Sequence, residues 1–244
     1  MILPRREDVF HKIQLYRLLT EILDSALLSQ SVFLKGGTAA SMLNYLDRFS
    51  IDLDFDIKKD VNKNEIEKEL KSIFKKLDLK VDKKSSRTFY YLLKYQSKNT
   101  LRNSLKLSFI DLIFKSNIYV PYYLSEIDRY AVCQTIETMF ANKLVALTDR
   151  YKKTKTIAGR DLYDIHHFFI NNYRYENNII KERTGQNVID YFKYLIKFIE
   201  KKITAEIINE DLNFLLSAEK FIKLRKVLKI ETLMLLEDEI KRLS

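Results

Sequence analysis

The sequence has little of what turns a chain sharply. Glycine occurs four times and proline twice in 244 residues. Tight hairpins and barrel corners depend on those two residues, so the shortage argues against a turn-rich sandwich or barrel and for a chain dominated by helices. A single cysteine, Cys133, excludes an intramolecular disulfide framework and any Cys-x-x-Cys metal site. Three histidines (His11, His166 and His167) leave little room for a His-rich zinc site. No window approaches the roughly 20 apolar residues of a membrane helix. Arg5 and Arg6 are followed by Glu7 and Asp8 instead of an apolar core, which does not read as a signal peptide. The expectation is a soluble, cytoplasmic protein with no membrane partner.

What is present is a globular balance, with 46% apolar and 31% charged residues. The length allows one large domain or two small ones with real cores. Lys and Arg outnumber Asp and Glu by 43 to 33, a formal charge of +10. That excess suits a polyanionic partner such as a nucleotide or RNA. It is spread over both halves of the chain and serves solubility equally well, so it permits such a partner without identifying one.

Hydrophobic periodicity divides the chain into two textures. Residues 6–28 have helical spacing, 31–34 read as a buried strand, and 38–46 as a helix capped by Thr38. In 50–57, Ile51, Leu53, Phe55 and Ile57 alternate with Asp52, Asp54 and Asp56, the pattern of a strand. An amphipathic helix follows over 63–77. Strands follow over 87–95 and 104–114, with Asn99 and Asn103 bracketing a hairpin loop. From Cys133 onward nearly everything has helical period, with segments over 134–149, 160–171, 186–202, 210–228 and 231–243. The reading is a mixed α/β domain over 1–125 and a helical domain over 126–244.

One region carries most of the chemistry. Phe33-Leu-Lys-Gly-Gly-Thr-Ala sets two of the four glycines at a strand end with a helix directly after. Glycine lets a backbone approach a ligand closely, and a helix start attracts phosphate. Asp52 and Asp54, two apart on the next strand, send both carboxylates from one face. Like charges held that close call for a cation, and Mg²⁺ takes oxygen ligands of this kind together with substrate phosphates. Gly-Gly alone is more often a turn, and Asp-x-Asp alone an exposed strand face, which Asp56 extends. On consecutive elements the two are far more specific, because nucleotidyl transfer needs a phosphate cradle beside a metal-binding carboxylate pair.

The pattern Leu-Lys-Gly-Gly-Thr-Ala … Arg-Phe-Ser-x-Asp-Leu-Asp-Phe resembles the AbiEii abortive-infection toxin family. That family lies within the DNA polymerase β-like nucleotidyltransferase superfamily. The match is specific over residues 35–55 and extends in weaker features to about residue 170. The resemblance implies an α+β fold, a nucleotidyltransferase-type mixed sheet with flanking helices, followed by a C-terminal helical bundle that contributes Lys143 and Asp161 to the cleft. It implies nucleotide binding by Lys35, Gly36, Gly37, Thr38, Arg48 and Ser50. A third carboxylate from a neighbouring strand would join Asp52 and Asp54 as metal ligand. Asp111 is the one candidate, although it shares its phase with Leu105, Leu107 and Phe109 and not with Lys106 and Ser108.

Two helical positions complete the set. Lys143 falls on the apolar stripe of its helix, where a lysine snorkels or meets a buried anion. Its Lys-Leu-Val-Ala-Leu context matches a family motif whose lysine is catalytic and touches triphosphate oxygens. Asp161 and Asp164 are i,i+3 neighbours. Asp161 is also placed to complement a helix dipole, and by family match it is the functional member, with Arg160 and Asp164 in support. His166 and His167 point about 100° apart on a helix and read as packing or surface residues, and Cys133 as a small buried apolar residue.

The resulting expectation is a Mg²⁺-dependent enzyme, with Mn²⁺ as the alternative ion. It moves a nucleoside monophosphate from an NTP to a tRNA 3′ end, another RNA or a protein hydroxyl, as a type IV toxin–antitoxin or phage-defence toxin with an antitoxin partner. The competing reading is a non-catalytic nucleotide- or protein-binding module that keeps the fold. A sugar transferase explains the Asp pair but not Gly-Gly-Thr, and a PIN-like nuclease needs acidic clusters the chain lacks.

Overall fold

The computed structural model describes residues 3, 5–85, 89–97 and 102–244. Asn99 and the first positions of the strand expected from residue 87 lie outside them. The chain forms two compact units: Met1–Lys115 with Tyr119–Gln134, and Ser116–Ile118 with Thr135–Ser244.

The first unit opens with α1 (Asp8–Asp24), whose Leu15, Leu18, Leu19 and Ile22 form a fully buried stripe. The helix stops at Ser25, which is extended (ψ 118°) and accepts the Leu28 N–H to cap α2 (Ala26–Ser31). The single helix expected over 6–28 is therefore two. Then come β1 (Val32–Lys35), α3 (Gly36–Met42), β2 (Asp52–Ile57), α4 (Lys63–Lys76), β3 (Lys80–Ser85), β4 (Phe89–Lys94), β5 (Ser104–Asp111), β6 (Tyr119–Leu124) and β7 (Arg129–Gln134).

The seven strands make one mixed sheet in the order β3-β4-β5-β2-β1-β7-β6. β2 lies at its centre, antiparallel to β1 and parallel to β5. Alternation sends Leu53, Phe55 and Ile57 to one face, where Phe55 stacks on Phe109 of β5 at 5.3 Å. α4 closes that face with buried Ile66, Leu70, Ile73 and Phe74, the last edge-on to Tyr91 at 5.2 Å. Burial of each such side chain is worth about 1.5–3 kcal/mol. Asp52, Asp54 and Asp56 leave by the opposite face.

The two outermost strands have sequences that hide them. β3 reads Lys-Val-Asp-Lys-Lys-Ser, the charged composition that keeps an exposed edge from pairing further. β6 contains Pro121, which an edge strand tolerates. β7 pairs with β1 in parallel through Leu34 and Cys133, and its buried Ala131 and Cys133 alternate with outer residues. The sheet thus runs past the boundary read at 125 and ends at Gln134.

The second unit is helical: α5 (Ile136–Thr154), α6 (Gly159–Ile170), α7 (Asn177–Thr184), α8 (Val188–Lys202), α9 (Ala205–Leu212), α10 (Ala218–Leu224) and α11 (Leu228–Leu243). Thr135, Asn187, Thr204 and Ser217 cap four of these at their N-termini. The Ser217 cap splits the helix expected over 210–228. The core gathers Phe140, Phe168, Tyr175 and Phe192 with Leu144, Leu195 and Leu236. Ser116–Ile118 belongs to it by hydrogen bonds: the Ile118 carbonyl accepts the Thr135 N–H at 3.0 Å, and the Ser116 N–H donates to Glu182 at 2.9 Å.

Candidate active site

In the first unit, β2 presents Asp52 and Asp54 on one face, about 6.6 Å apart along the strand. Lys35, the last residue of β1, pairs with Asp54, so the turn that follows it opens beside the carboxylates. Gly36 has φ +76°, a conformation L side chains rarely adopt, and a Cβ there would lie 3.0 Å from Asp54 Oδ2. A Cβ on Gly37 would lie 2.8 Å from an Arg48 guanidinium nitrogen and 2.9 Å from the Ser50 hydroxyl. The double glycine is thus what lets the turn sit against the carboxylates on one side and the Arg48–Ser50 segment on the other.

Thr38, Arg48 and Ser50 are buried beneath that turn, at 1%, 2% and 7% exposure. The Thr38 hydroxyl donates to the Asp52 carbonyl at 2.5 Å and lies 2.9 Å from the Ser50 hydroxyl. Arg48 donates to the Phe49 carbonyl, and its own carbonyl accepts the Ser41 hydroxyl. From the other side His11 of α1 reaches the carbonyl of Ile51 at 3.0 Å and the Tyr95 hydroxyl at 2.8 Å. Burial pushes its imidazole down to about 4, so it is neutral at physiological pH. These groups fix the turn and the start of β2; direct contact with a nucleotide, expected for Thr38, Arg48 and Ser50, would require their side chains to leave the interior.

Two further sequence expectations change. Lys35 donates to Asp56 Oδ1 at 2.5 Å, while Tyr119 and Gln134 donate to Asp56 Oδ2 at 2.6 and 3.0 Å. Its ammonium serves a buried carboxylate that has the same phase as Asp52 and Asp54 but is already satisfied. Asp111 does not join the carboxylate pair. It pairs in register with Ile57, on the opposite face of the sheet, and makes an exposed ion pair with Lys63 at 2.7 Å. The reason is the phase of β5, whose residues facing Asp52 and Asp54 are Lys106 and Ser108. Ser108 donates to Asp54 Oδ1, and Lys106 Nζ stands 4.0 Å from Asp52 Oδ2. Those two polar positions in an apolar run mark the face of β5 that meets the carboxylate pair.

In the second unit Lys143 of α5 donates to Asp161 Oδ1 and pairs with Asp164 Oδ2, both at 2.8 Å. Both carboxylates are fully buried on α6. Arg150 reaches Asp161 Oδ2 at 3.2 Å. Burial raises the Asp161 carboxyl, but Lys143 and Arg150 outweigh it and hold the group below the ordinary carboxylate range. Arg150 was absent from the sequence-based set, although it lies two helical turns beyond Lys143 on the same face. His166 is buried and bonds Glu231 at 2.7 Å, His167 stacks on Tyr163, and burial pushes the Cys133 thiol up to about 12.

The donor set of the first unit fits an oxygen-seeking divalent ion: two carboxylates on one face, partly open, beside a turn without side chains. Nucleotide phosphates and water would complete the shell. Among the described residues no group of three or more His, Cys, Asp or Glu is placed to hold a metal. A glycine turn between a strand and a helix, set against a paired-carboxylate strand at the centre of a mixed sheet, defines a nucleotidyltransferase.

The chain belongs to the nucleotidyl transferase AbiEii toxin family of type IV toxin–antitoxin systems, whose family model matches residues 17–221. Membership implies an antitoxin partner and a nucleotide substrate. No curated protein matches the chain. Among solved structures it is similar to JHP933 from Helicobacter pylori, with a TM-score of 0.61 and 20% identity over 99% of this chain and 95% of that one. It is also similar to MenT4, a nucleotidyltransferase toxin from Mycobacterium tuberculosis, with a TM-score of 0.50 and 14% identity over 98% and 88%. At these identities the likeness is one of fold. Among the described residues no helix is long and apolar enough to cross a membrane.

Proposed function

We propose that this protein is a Mg²⁺-dependent toxin that transfers a nucleoside monophosphate from an NTP to the 3′-terminal hydroxyl of an RNA, a tRNA in the first instance. The observation that carries this reading is the placement of Asp52 and Asp54 beside the Gly36 turn, where a Cβ would press on Asp54 at 3.0 Å. An ion held by the two carboxylates would lower the pKa of the acceptor hydroxyl and neutralise charge on the α-phosphate. The hydroxyl oxygen attacks the α-phosphorus, the bond to the β-phosphate oxygen breaks, pyrophosphate leaves and the hydroxyl proton passes to water.

The chain's own groups have distinct tasks. The backbone of Gly36 and Gly37 approaches the triphosphate, while Thr38, Ser50 and Arg48 hold that turn, and Lys35 holds Asp56 within the sheet. Within the helical unit, Asp161 and Asp164 hold the Lys143 ammonium, and Arg150 pairs with Asp161. The basic surface favours RNA over protein as acceptor.

The test is a transfer assay with Mg²⁺, total tRNA and each labelled NTP in turn. Label on tRNA, lost in Asp54→Asn, supports the reading. Label on protein alone replaces the acceptor. Nucleotide binding without any transfer leaves the non-catalytic module in its place.

A further inference from the structure

We propose that this site works with one divalent ion instead of two, and that Lys106 supplies the positive charge a second ion would bring. The inference rests on the metal-dependent reading above and concerns how the same site is charged.

Its basis is the register of β2 against β5. Asp52 pairs with Lys106 and Asp54 with Ser108. Paired residues on neighbouring strands point to the same face, so the side chains facing the carboxylate pair are an ammonium and a hydroxyl. Lys106 Nζ lies 4.0 Å from Asp52 Oδ2 with its side chain 38% exposed, so it still meets solvent and any bound phosphate. Ser108 spends its proton on Asp54. As a neutral hydroxyl it is a far poorer ligand for a hard dication than a carboxylate.

No other carboxylate among the described residues makes up the difference. Asp56 shares the face but is buried and bound by Lys35, Tyr119 and Gln134. Asp111 lies on the opposite face with Lys63. Two-ion sites hold their metals about 3.5–4 Å apart. Here only two carboxylates face that space, and Lys106 sets an ammonium opposite Asp52 where a third would stand; lysine binds phosphate as a point charge.

The experiment uses the full chain, Mn²⁺ as probe ion and a non-hydrolysable NTP analogue at saturation, with free Mn²⁺ counted by electron paramagnetic resonance. One Mn²⁺ per chain in the nucleotide complex is expected. Ser108→Asp places a third carboxylate beside Asp54 and should bind a second Mn²⁺. Lys106→Met keeps the stem without the charge and should weaken analogue binding about tenfold or more, the scale of a lost charge-assisted contact. Two ions in the wild type, one in a folded S108D, or unchanged analogue affinity in K106M overturns the proposal. If S108D does not fold, the wild-type count and K106M decide. Two ions with transfer intact sinks this inference alone, whereas no ion at all sinks the metal-dependent reading with it.

Discussion

Replacing Lys143 with methionine should destabilise the protein in a pH-dependent way. The ammonium bridges Asp161 and Asp164, both fully buried, at 2.8 Å each. Methionine fills similar volume and removes the charge. Arg150 still reaches Asp161, so the loss is that of one cation shared by two buried carboxylates. Breaking a buried pair from one side costs about 3–5 kcal/mol. For a chain of this size that lowers the thermal midpoint by about 6–20 °C. In the wild type the Asp161 carboxyl lies below its unfolded value. Its stabilisation is therefore present above about pH 3.9 and fades only as pH falls through the folded pKa. In the variant, burial with less compensation raises a folded carboxyl pKa, so the penalty is full at neutral pH and shrinks as acid protonates the group. Urea unfolding followed by helical circular dichroism at pH 7.5 and pH 4.5 measures both. A loss under about 1 kcal/mol at pH 7.5 would show that the pair is not a buried one in energetic terms. A loss as large at pH 4.5 as at 7.5 would refute the electrostatic account.

Three other outcomes are expected. Gly36→Ala forces a side chain into φ +76° and against Asp54, costing about 1–2 kcal/mol and weakening divalent-ion binding, read by calorimetry. Asp56→Asn strands the Lys35 ammonium against a neutral amide and should cost about 3 kcal/mol or more, whereas Asp111→Asn on its exposed pair should cost less than about 1 kcal/mol and leave ion binding intact; denaturant midpoints of the two variants give the contrast. His11, held near 4 in the folded chain against about 6.5 unfolded, draws protons to the unfolded state as pH falls. Stability should therefore drop by up to about 3 kcal/mol between pH 6.5 and 4, and His11→Gln should flatten that slope in pH-dependent urea titrations.

The sequence was most legible where patterning and chemistry coincide. Asp52 and Asp54 announce themselves by alternation with Leu53 and Phe55, and Gly36-Gly37 stands out because glycine is so scarce. The fold family followed from that short stretch. What stayed hidden has physical causes. β3 carries no apolar alternation, because an edge strand is protected by charge. β7 sets Tyr130 and Val132 on the face opposite its buried Ala131 and Cys133, so apolar residues on both faces blur the alternation. Asp111 drew notice as the only acid in an apolar run, yet its phase already set it with Leu107 and Phe109. Thr38, Arg48 and Ser50, expected at the nucleotide, have their side chains buried against the turn, and nothing local in a sequence distinguishes a polar group aimed outward from one aimed into the interior. Arg150 needed only the helical repeat of Lys143 to be found.

The three residues 116–118 bear on how such a chain can be cut or exchanged. They leave the sheet after β5, join the helical unit through the Ile118, Asn117 and Ser116 bonds, and return to the sheet at Tyr119. A fragment beginning at residue 135 would lose the carbonyl that receives its first N–H and the donors that meet Glu182 and the Thr138 hydroxyl. A fragment ending at 134 would carry those groups with nothing to meet them. The helical unit is therefore not a cassette that one breakpoint could graft onto another sheet. A single recombination breakpoint that keeps it intact must fall before residue 116, carry the β6–β7 hairpin along and so divide the sheet.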